Sequence, residues 1–208
     1  MIQISEIKKS YGKQLILDGI SFEAQPGECV AIIGRNGCGK STLMQILAGI
    51  EPPDSGELNY YHRNPRKDPK VFRELCGYVP QSNPLMEELS VRDNLKLFGA
   101  NPAIVEDELL RPFELAPILN KPVVKLSGGM KRRVAIACAV HHIPSILFMD
   151  EPTTALDIYF KQSIHEWMRQ YQKMGGILIM STHEDAEISL CGTHVFIENG
   201  KATTNHIH

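Results

Sequence analysis

Gly34, Arg35, Asn36, Gly37, Cys38, Gly39, Lys40, Ser41 and Thr42 run consecutively and fit the spacing G-x-x-x-x-G-K-[ST]. Successive backbone N–H groups in such a loop can wrap a polyphosphate. Lys40 adds a point charge at the β- and γ-phosphates, and Ser41 offers a hydroxyl to Mg²⁺. Glycines at 34, 37 and 39 let the backbone turn tightly and come close to an anion. The loop alone says nucleoside triphosphate; it does not choose between a kinase, a GTPase, a motor and a transporter.

Two further clusters carry chemistry. Asp150 and Glu151 end the apolar run 146–149. Asp150 is placed to hold Mg²⁺ beside the loop through water. Glu151, one residue further, is placed to polarise an attacking water. Taken alone, the pair also reads as a strand followed by a solvated acidic turn. The second cluster is Leu126, Ser127, Gly128 and Gly129, followed by Met130, Lys131, Arg132 and Arg133. Ser127 can cap a helix running through Val134 and Cys138. The two glycines expose that helix's first N–H groups, an anion site aimed by the helix dipole. One chain then holds two phosphate sites but a single lysine loop. A symmetric dimer accounts for this, each Ser-Gly-Gly covering the ATP held by the other copy.

These residues need elements to hold them. Residues 29–33 form a short apolar run, as a buried parallel strand requires. Residues 42–48 place Leu43, Ile46 and Leu47 at helical spacing. Strand, glycine loop and helix in that order put the phosphates at a helix N-terminus. Residues 1–8 and 14–23 read as strands joined by a turn at Tyr11-Gly12-Lys13, and 57–61 as a strand after the turn 52–56. Residues 63–70 are polar, with two prolines and four basic residues. They offer a nucleic-acid patch or a solvated loop, and no aromatic stacking run accompanies them. Residues 76–79 form a short strand ending at Pro80-Gln81.

The character changes from residue 82 to about 125. Ser90 and Asp93 are spaced like a capping box, with Val91, Leu95 and Phe98 on one helical face. Prolines at 102, 112, 117 and 122 chop the rest of this stretch into short helical pieces. Residues 146–149 and 177–180 read as buried strands. Residues 158–172 read as a helix with Ile164, Trp167, Met168 and Tyr171 on one side, stopped by Gly175-Gly176. A last strand near 195–198 is followed by a short tail. The alternation implies an α/β fold with a mostly parallel sheet and helices on both faces. The expected organisation is a single domain, with a core at 1–81 and 142–208 and an inserted helical lobe at about 82–141.

Bulk properties narrow the class. The 208 residues suffice for one full core, and 43% hydrophobic with 22% charged residues is ordinary for a globular chain. A net charge of −2 implies no polyelectrolyte partner. No signal peptide is expected, and no apolar run approaches the ~20 residues needed to cross a bilayer, so a membrane role must come through a partner. The five cysteines show no C-x-x-C spacing and read as free thiols in a reducing cytosol. His141-His142 and His206-x-His208 are the only close histidine pairs, and nothing nearby makes them metal ligands.

The order of these signals resembles the nucleotide-binding subunit of an ABC (ATP-binding cassette) transporter. That family strings together an aromatic loop, the phosphate loop, a glutamine loop, a Leu-Ser-Gly-Gly signature, strand-Asp-Glu, a loop ending in Asp and a switch histidine. Here they are Tyr11, residues 34–42, Gln81, residues 126–129, Asp150-Glu151, Ala155-Leu156-Asp157 and His183, in that order. The resemblance covers residues 1 to about 201. It implies a P-loop NTPase core with an N-terminal antiparallel β subdomain beside the inserted lobe. It implies that Tyr11 stacks on adenine, and that Gln81 reaches Mg²⁺ or the attacking water and links to the transport partner. His183 would bond the γ-phosphate, and Asp157 would lie at the dimer seam.

The implied activity is Mg²⁺-dependent ATP hydrolysis, with closure of two copies moving the lobe and, through it, transmembrane permease subunits. The implied location is the cytoplasmic face of the cell membrane. A homodimer is expected over a heterodimer, and the compact length points to export over import. The alternatives are an ATPase acting on nucleic acid or the ribosome, and a regulatory ATP-binding module. The first would carry two cassettes or a long coiled-coil insert; the second would lack the catalytic residues. One position departs from the family: glutamine usually follows the second glycine, and Met130 lacks that amide's donors and acceptor. It reads as a tolerated side-chain change, since anion binding there uses backbone N–H groups. Pairing with a non-identical subunit is the other reading.

Overall fold

The computed structural model describes residues 1–154 and 156–206. In chain order the elements are β1 (Ile2–Tyr11), β2 (Gln14–Ala24), β3 (Cys29–Ile33), α1 (Lys40–Leu47), β4 (Ser55–Tyr60), α2 (Lys70–Leu75) and β5 (Cys76–Val79). Then come α3 (Val91–Leu97), four 3-10 turns between residues 102 and 125, α4 (Gly128–Val140), β6 (Ile146–Asp150), α5 (Ile158–Lys173), β7 (Ile177–Ser181), α6 (Asp185–Ile188), β8 (Thr193–Glu198) and β9 (Lys201–His206).

β2, β1 and β4 form an antiparallel sheet in that spatial order. The second sheet runs β5-β6-β7-β3-β8-β9, with every pairing parallel except β8 with β9. β6 and β7 are buried at every position, which is why they read as unbroken apolar runs rather than alternating ones. Their alternation survives in what each face meets. Ala31, Leu147, Met149, Leu178 and Met180 join the apolar cluster of α3, α4, α5 and the 3-10 turns. Val30, Ile32, Ile146, Phe148, Ile177 and Ile179 join that of α1 and the three-stranded sheet. The strandless stretch from α3 to α4 therefore shares one continuous core with the large sheet, and α4 packs directly on β5.

Several expectations are corrected. The chain does not end in a loose tail after β8: Asn199 and Gly200, both at positive φ (50° and 77°), turn it back as β9. Asn-Gly is the standard two-residue hairpin signal. The five cysteines are not all free. Cys29 and Cys191 are paired as a disulfide, because β3 and the turn before β8 bring their Cα atoms to 4.4 Å across 162 residues of sequence. Cys38, Cys76 and Cys138 remain thiols. Phe98 does not share the buried face of Val91 and Leu95; it closes α3 as a partly exposed C-cap. The polar stretch 63–70 leads into α2, which its prolines hid, and Arg63 pairs with Asp68 and Glu74. Ser90 does cap α3, accepting from the Asp93 N–H at 3.1 Å.

Candidate functional site

β3 delivers the phosphate loop to the edge of the sheet, and α1 begins directly after it. A Cβ on Gly34 would lie 2.6 Å from Cys38 Sγ and 2.6 Å from the Ile197 carbonyl oxygen. Gly39 sits at φ 106°, and a Cβ there would meet Ile16 and Leu17 at under 3 Å. Both positions thus need glycine. Gly39 is also the N-cap of α1 and offers no side-chain acceptor, so the helix's first N–H groups are left for an anion. Lys40 is buried, and its Nζ donates to the carbonyls of Gly34 (2.8 Å) and Arg35 (3.3 Å) across the loop.

A cavity of about 460 Å³ opens over this loop. Ile16, Asn36, Gly37, Gly39, Lys40, Ser41 and Thr42 form one wall. Gln81, Glu151 and His183 form the other, arriving from the ends of β5, β6 and β7. Gln81 Nε2 donates to Glu151 Oε2 at 3.0 Å, and His183 Nδ1 stands 3.6 Å from Glu151 Oε1. Glu151 is held in a left-handed backbone conformation, φ 48°, unusual for a residue with a side chain. Such backbone strain gathers at functional sites. Its N–H donates to the Ser181 carbonyl at 3.0 Å. Asp150 is buried beneath, paired in register with Ser181, whose hydroxyl donates to Asp150 Oδ1. A larger open cleft, about 810 Å³, lies between residues 107–112 and α5, away from the phosphate loop.

Tyr11 is half exposed at the end of β1, and its hydroxyl donates to Glu51. That bond pushes the Tyr11 hydroxyl's pKa up, burial adds to it, and the Thr42 hydroxyl opposes it. Glu51 is pulled below the usual carboxylate range by Tyr11 and by Lys9, whose Nζ lies 2.9 Å away. The ring is thus anchored at its far end, with Lys9 Nζ 5.5 Å from its centroid, and Tyr11 does not line the cavity wall.

Not every expected residue comes to this cavity. Ser127 caps α4, accepting from the Met130 N–H at 3.2 Å, but Ser127, Gly128 and Gly129 do not line the phosphate-loop wall. Asp157 caps α5 through the Phe160 N–H at 3.0 Å and does not line it either. Ala155 lies outside the described residues, as does His208. Met130 packs, partly buried, against the apolar core.

Sequence reasoning missed the second tier of the site. Arg132 is buried and donates to backbone carbonyls at Pro80, Asp150, Glu151 and Pro152. In the sequence it is one of three consecutive basic residues, 131–133, with nothing to single it out. Glu187, also buried, accepts from Thr153 Oγ1 at 2.7 Å and from Thr182 Oγ1, while His165 Nε2 faces it at 3.9 Å. Burial pushes the Glu187 carboxyl up, but His165 and the two hydroxyls outweigh it and hold the carboxyl below its ordinary value. This network ties the segment after Glu151 to the one before His183.

Comparison with known proteins gives the arrangement its relatives. The family profile described as "ABC transporter" matches residues 17–154. "Nod factor export ATP-binding protein I" of Sinorhizobium fredii is 34% identical over 96% of the chain and 61% of its own length. The protein of the same name from Paraburkholderia xenovorans is 37% identical over 96% and 68%. The chain thus spans about two thirds of these relatives' length. Among solved structures, an ATP-binding subunit of an ABC transporter matches with TM-score 0.89 at 30% identity, over 99% of this chain and 90% of that one. A dimeric, post-hydrolysis ATP-binding cassette bound to ADP and Pi matches with TM-score 0.89 at 25% identity, over 100% and 99%. With the phosphate loop, the strand-end acids and the capped Ser-Gly-Gly helix in family order, the chain belongs to the ABC transporter family.

Proposed function

We propose that this chain is the ATP-binding and ATP-hydrolysing subunit of an ABC exporter, closing as a dimer on two ATP molecules and acting through separate transmembrane subunits. One observation carries the reading: Gln81, Glu151 and His183 meet across a cavity whose opposite wall is the phosphate loop. The relatives named for export and the dimeric neighbour bound to ADP and Pi support it. Those exporters extend beyond the matched region, so compactness carries no weight on direction; their names do. Within the basic stretch 63–70, Arg63 is engaged by Asp68 and Glu74, and none of the relatives above is named for binding nucleic acid.

The loop N–H groups and Lys40 grip the β- and γ-phosphates, Lys40 exchanging its carbonyl partners for phosphate oxygens. Tyr11 stacks on adenine. Glu151 takes a proton from the attacking water, with Gln81 and His183 orienting water and γ-phosphate. Ser41, Gln81 and Asp150 would hold Mg²⁺. All three present oxygen donors, which suits a hard cation, and two of them line the cavity. When bound, the ion neutralises charge on the phosphates. Ser127, Gly128, Gly129 and Asp157 do not line this cavity, and in the dimer they would complete the partner's site. Met130 packs against its own core, and we read the pair as two identical subunits. Among the described residues no helix is long and apolar enough to cross a membrane. Attachment at the cytoplasmic face then falls to the permease subunits.

The test is steady-state ATP hydrolysis by the purified chain with Mg²⁺. Wild type is expected to turn over and Glu151→Gln to lose about 10²–10⁴-fold in kcat while still binding ATP. A variant as fast as wild type would remove Glu151 from the chemistry.

A further inference from the structure

Arg132 is a buried cation with no carboxylate in ion-pair range among the described residues. Its guanidinium instead spends its donors on backbone carbonyls. Nε donates to Pro152 at 2.8 Å, and Nη2 to Asp150 at 2.7 Å and to Glu151 at 2.8 Å. Nη1 donates to Pro80, the residue before Gln81. Three of these carbonyls flank the left-handed backbone of Glu151, and the fourth fixes the entry to Gln81. Burial pulls the Arg132 pKa down to about 10, with Asp150 and Glu187 opposing, so the group stays protonated at neutral pH. An isolated buried charge is costly unless its hydrogen bonds are filled. A planar fork of five N–H donors fills them here in a way an ammonium cannot.

The location gives this bonding a consequence. Arg132 lies five residues after Ser127, on the helix that the Ser-Gly-Gly segment starts. We propose that Arg132 is a positioning residue for ATP hydrolysis: it holds Glu151 and Gln81 in their working geometry and ties them to the signature helix of the same chain. A shift of α4 when Ser127, Gly128 and Gly129 engage a partner's nucleotide is thereby carried to the chain's own catalytic pair. The inference rests on the proposed hydrolysis at Glu151. Arg133, its neighbour, serves as the contrast. It is equally buried, but it donates to the Phe113 carbonyl at 3.0 Å and stacks on Phe160 at 3.7 Å, touching neither catalytic strand.

The test compares Arg132→Lys with Arg133→Lys in the full chain. Arg132→Lys keeps the charge but cannot reach four carbonyls from one Nζ. It is expected to lower kcat at least tenfold while ATP affinity stays within twofold, and to speed exchange at the amides of residues 81, 82, 151, 153 and 154 at least tenfold. Arg133→Lys is expected to lower the melting temperature with kcat per folded molecule within twofold of wild type. Equal kcat for wild type and Arg132→Lys, unchanged exchange at those amides, or a loss of ATP affinity matching the loss of kcat would overturn the proposal. Should Arg132→Lys fail to fold, Arg132→Gln, which keeps a planar two-donor head, takes its place with the same thresholds. A folded wild type without turnover would instead overturn hydrolysis itself, and the exchange comparison would still decide the role of Arg132.

Discussion

Lys40, Tyr11 and Glu151 each owe their place to a different local cause. Lys40 is set by the glycines, since a Cβ at position 34 or 39 would strike neighbours at under 3 Å. Glu151 is set by a left-handed backbone that Ser181 and Arg132 bond from either side. Tyr11 is set at a distance, through Glu51, which Lys9 holds in turn. If its ring stacks on the base, Tyr11→Ala weakens ATP binding by about 5- to 150-fold, the ~1–3 kcal/mol typical of base–aromatic stacking. Tyr11→Phe keeps the ring and most of the affinity. Titration with a fluorescent ATP analogue checks both; equal binding by Ala and wild type would take the ring off the base. Lys40 and Glu151 are singled out in the sequence because each belongs to a short, ordered motif; Tyr11 reads as a turn residue until the family resemblance gives it a role. Arg132, Glu187 and Glu51 are not singled out there. Their partners lie up to 52 residues away, and burial, which no local pattern reports, turns a surface charge into a brace.

At the scale of elements, the site is built where parallel strands end. β3 supplies the phosphate loop, β5 Gln81, β6 the acid pair and β7 the run into His183, so four neighbouring strand ends share one edge of the sheet. The apolar runs made these strands readable. The elements missed had their signals masked: prolines before α2, and Asn199-Gly200 read as the start of a tail rather than a hairpin turn. The Cys29–Cys191 pairing joins segments that no spacing rule connects. α6 and the segment before it are braced by Glu187, whose carboxyl titrates below its ordinary value of 4.5. A depressed carboxyl stabilises the fold fully above that value, and the contribution fades as pH falls through the folded-state pKa. Thermal melts of wild type and Glu187→Gln should therefore differ most near pH 7 and converge below about pH 4.5. A gap that holds constant through that range would mean that Glu187 acts by packing alone.

At the scale of the molecule, the proposed dimer needs each chain to supply two different half-sites. The phosphate-loop cavity carries the catalytic side chains, and the capped N-terminus of α4 carries a second set of free N–H groups outside that cavity. One continuous core runs from α3 through α4 and α5 to the large sheet. The account therefore turns on whether two copies join these halves around ATP. Light scattering of Glu151→Gln at fixed protein concentration, with and without Mg²⁺-ATP, measures this directly. Monomer without nucleotide and dimer with it is the predicted result, with the dimer lost when Gly129→Glu blocks the α4 N-terminus. A monomer that binds ATP at saturation yet stays single would contradict it.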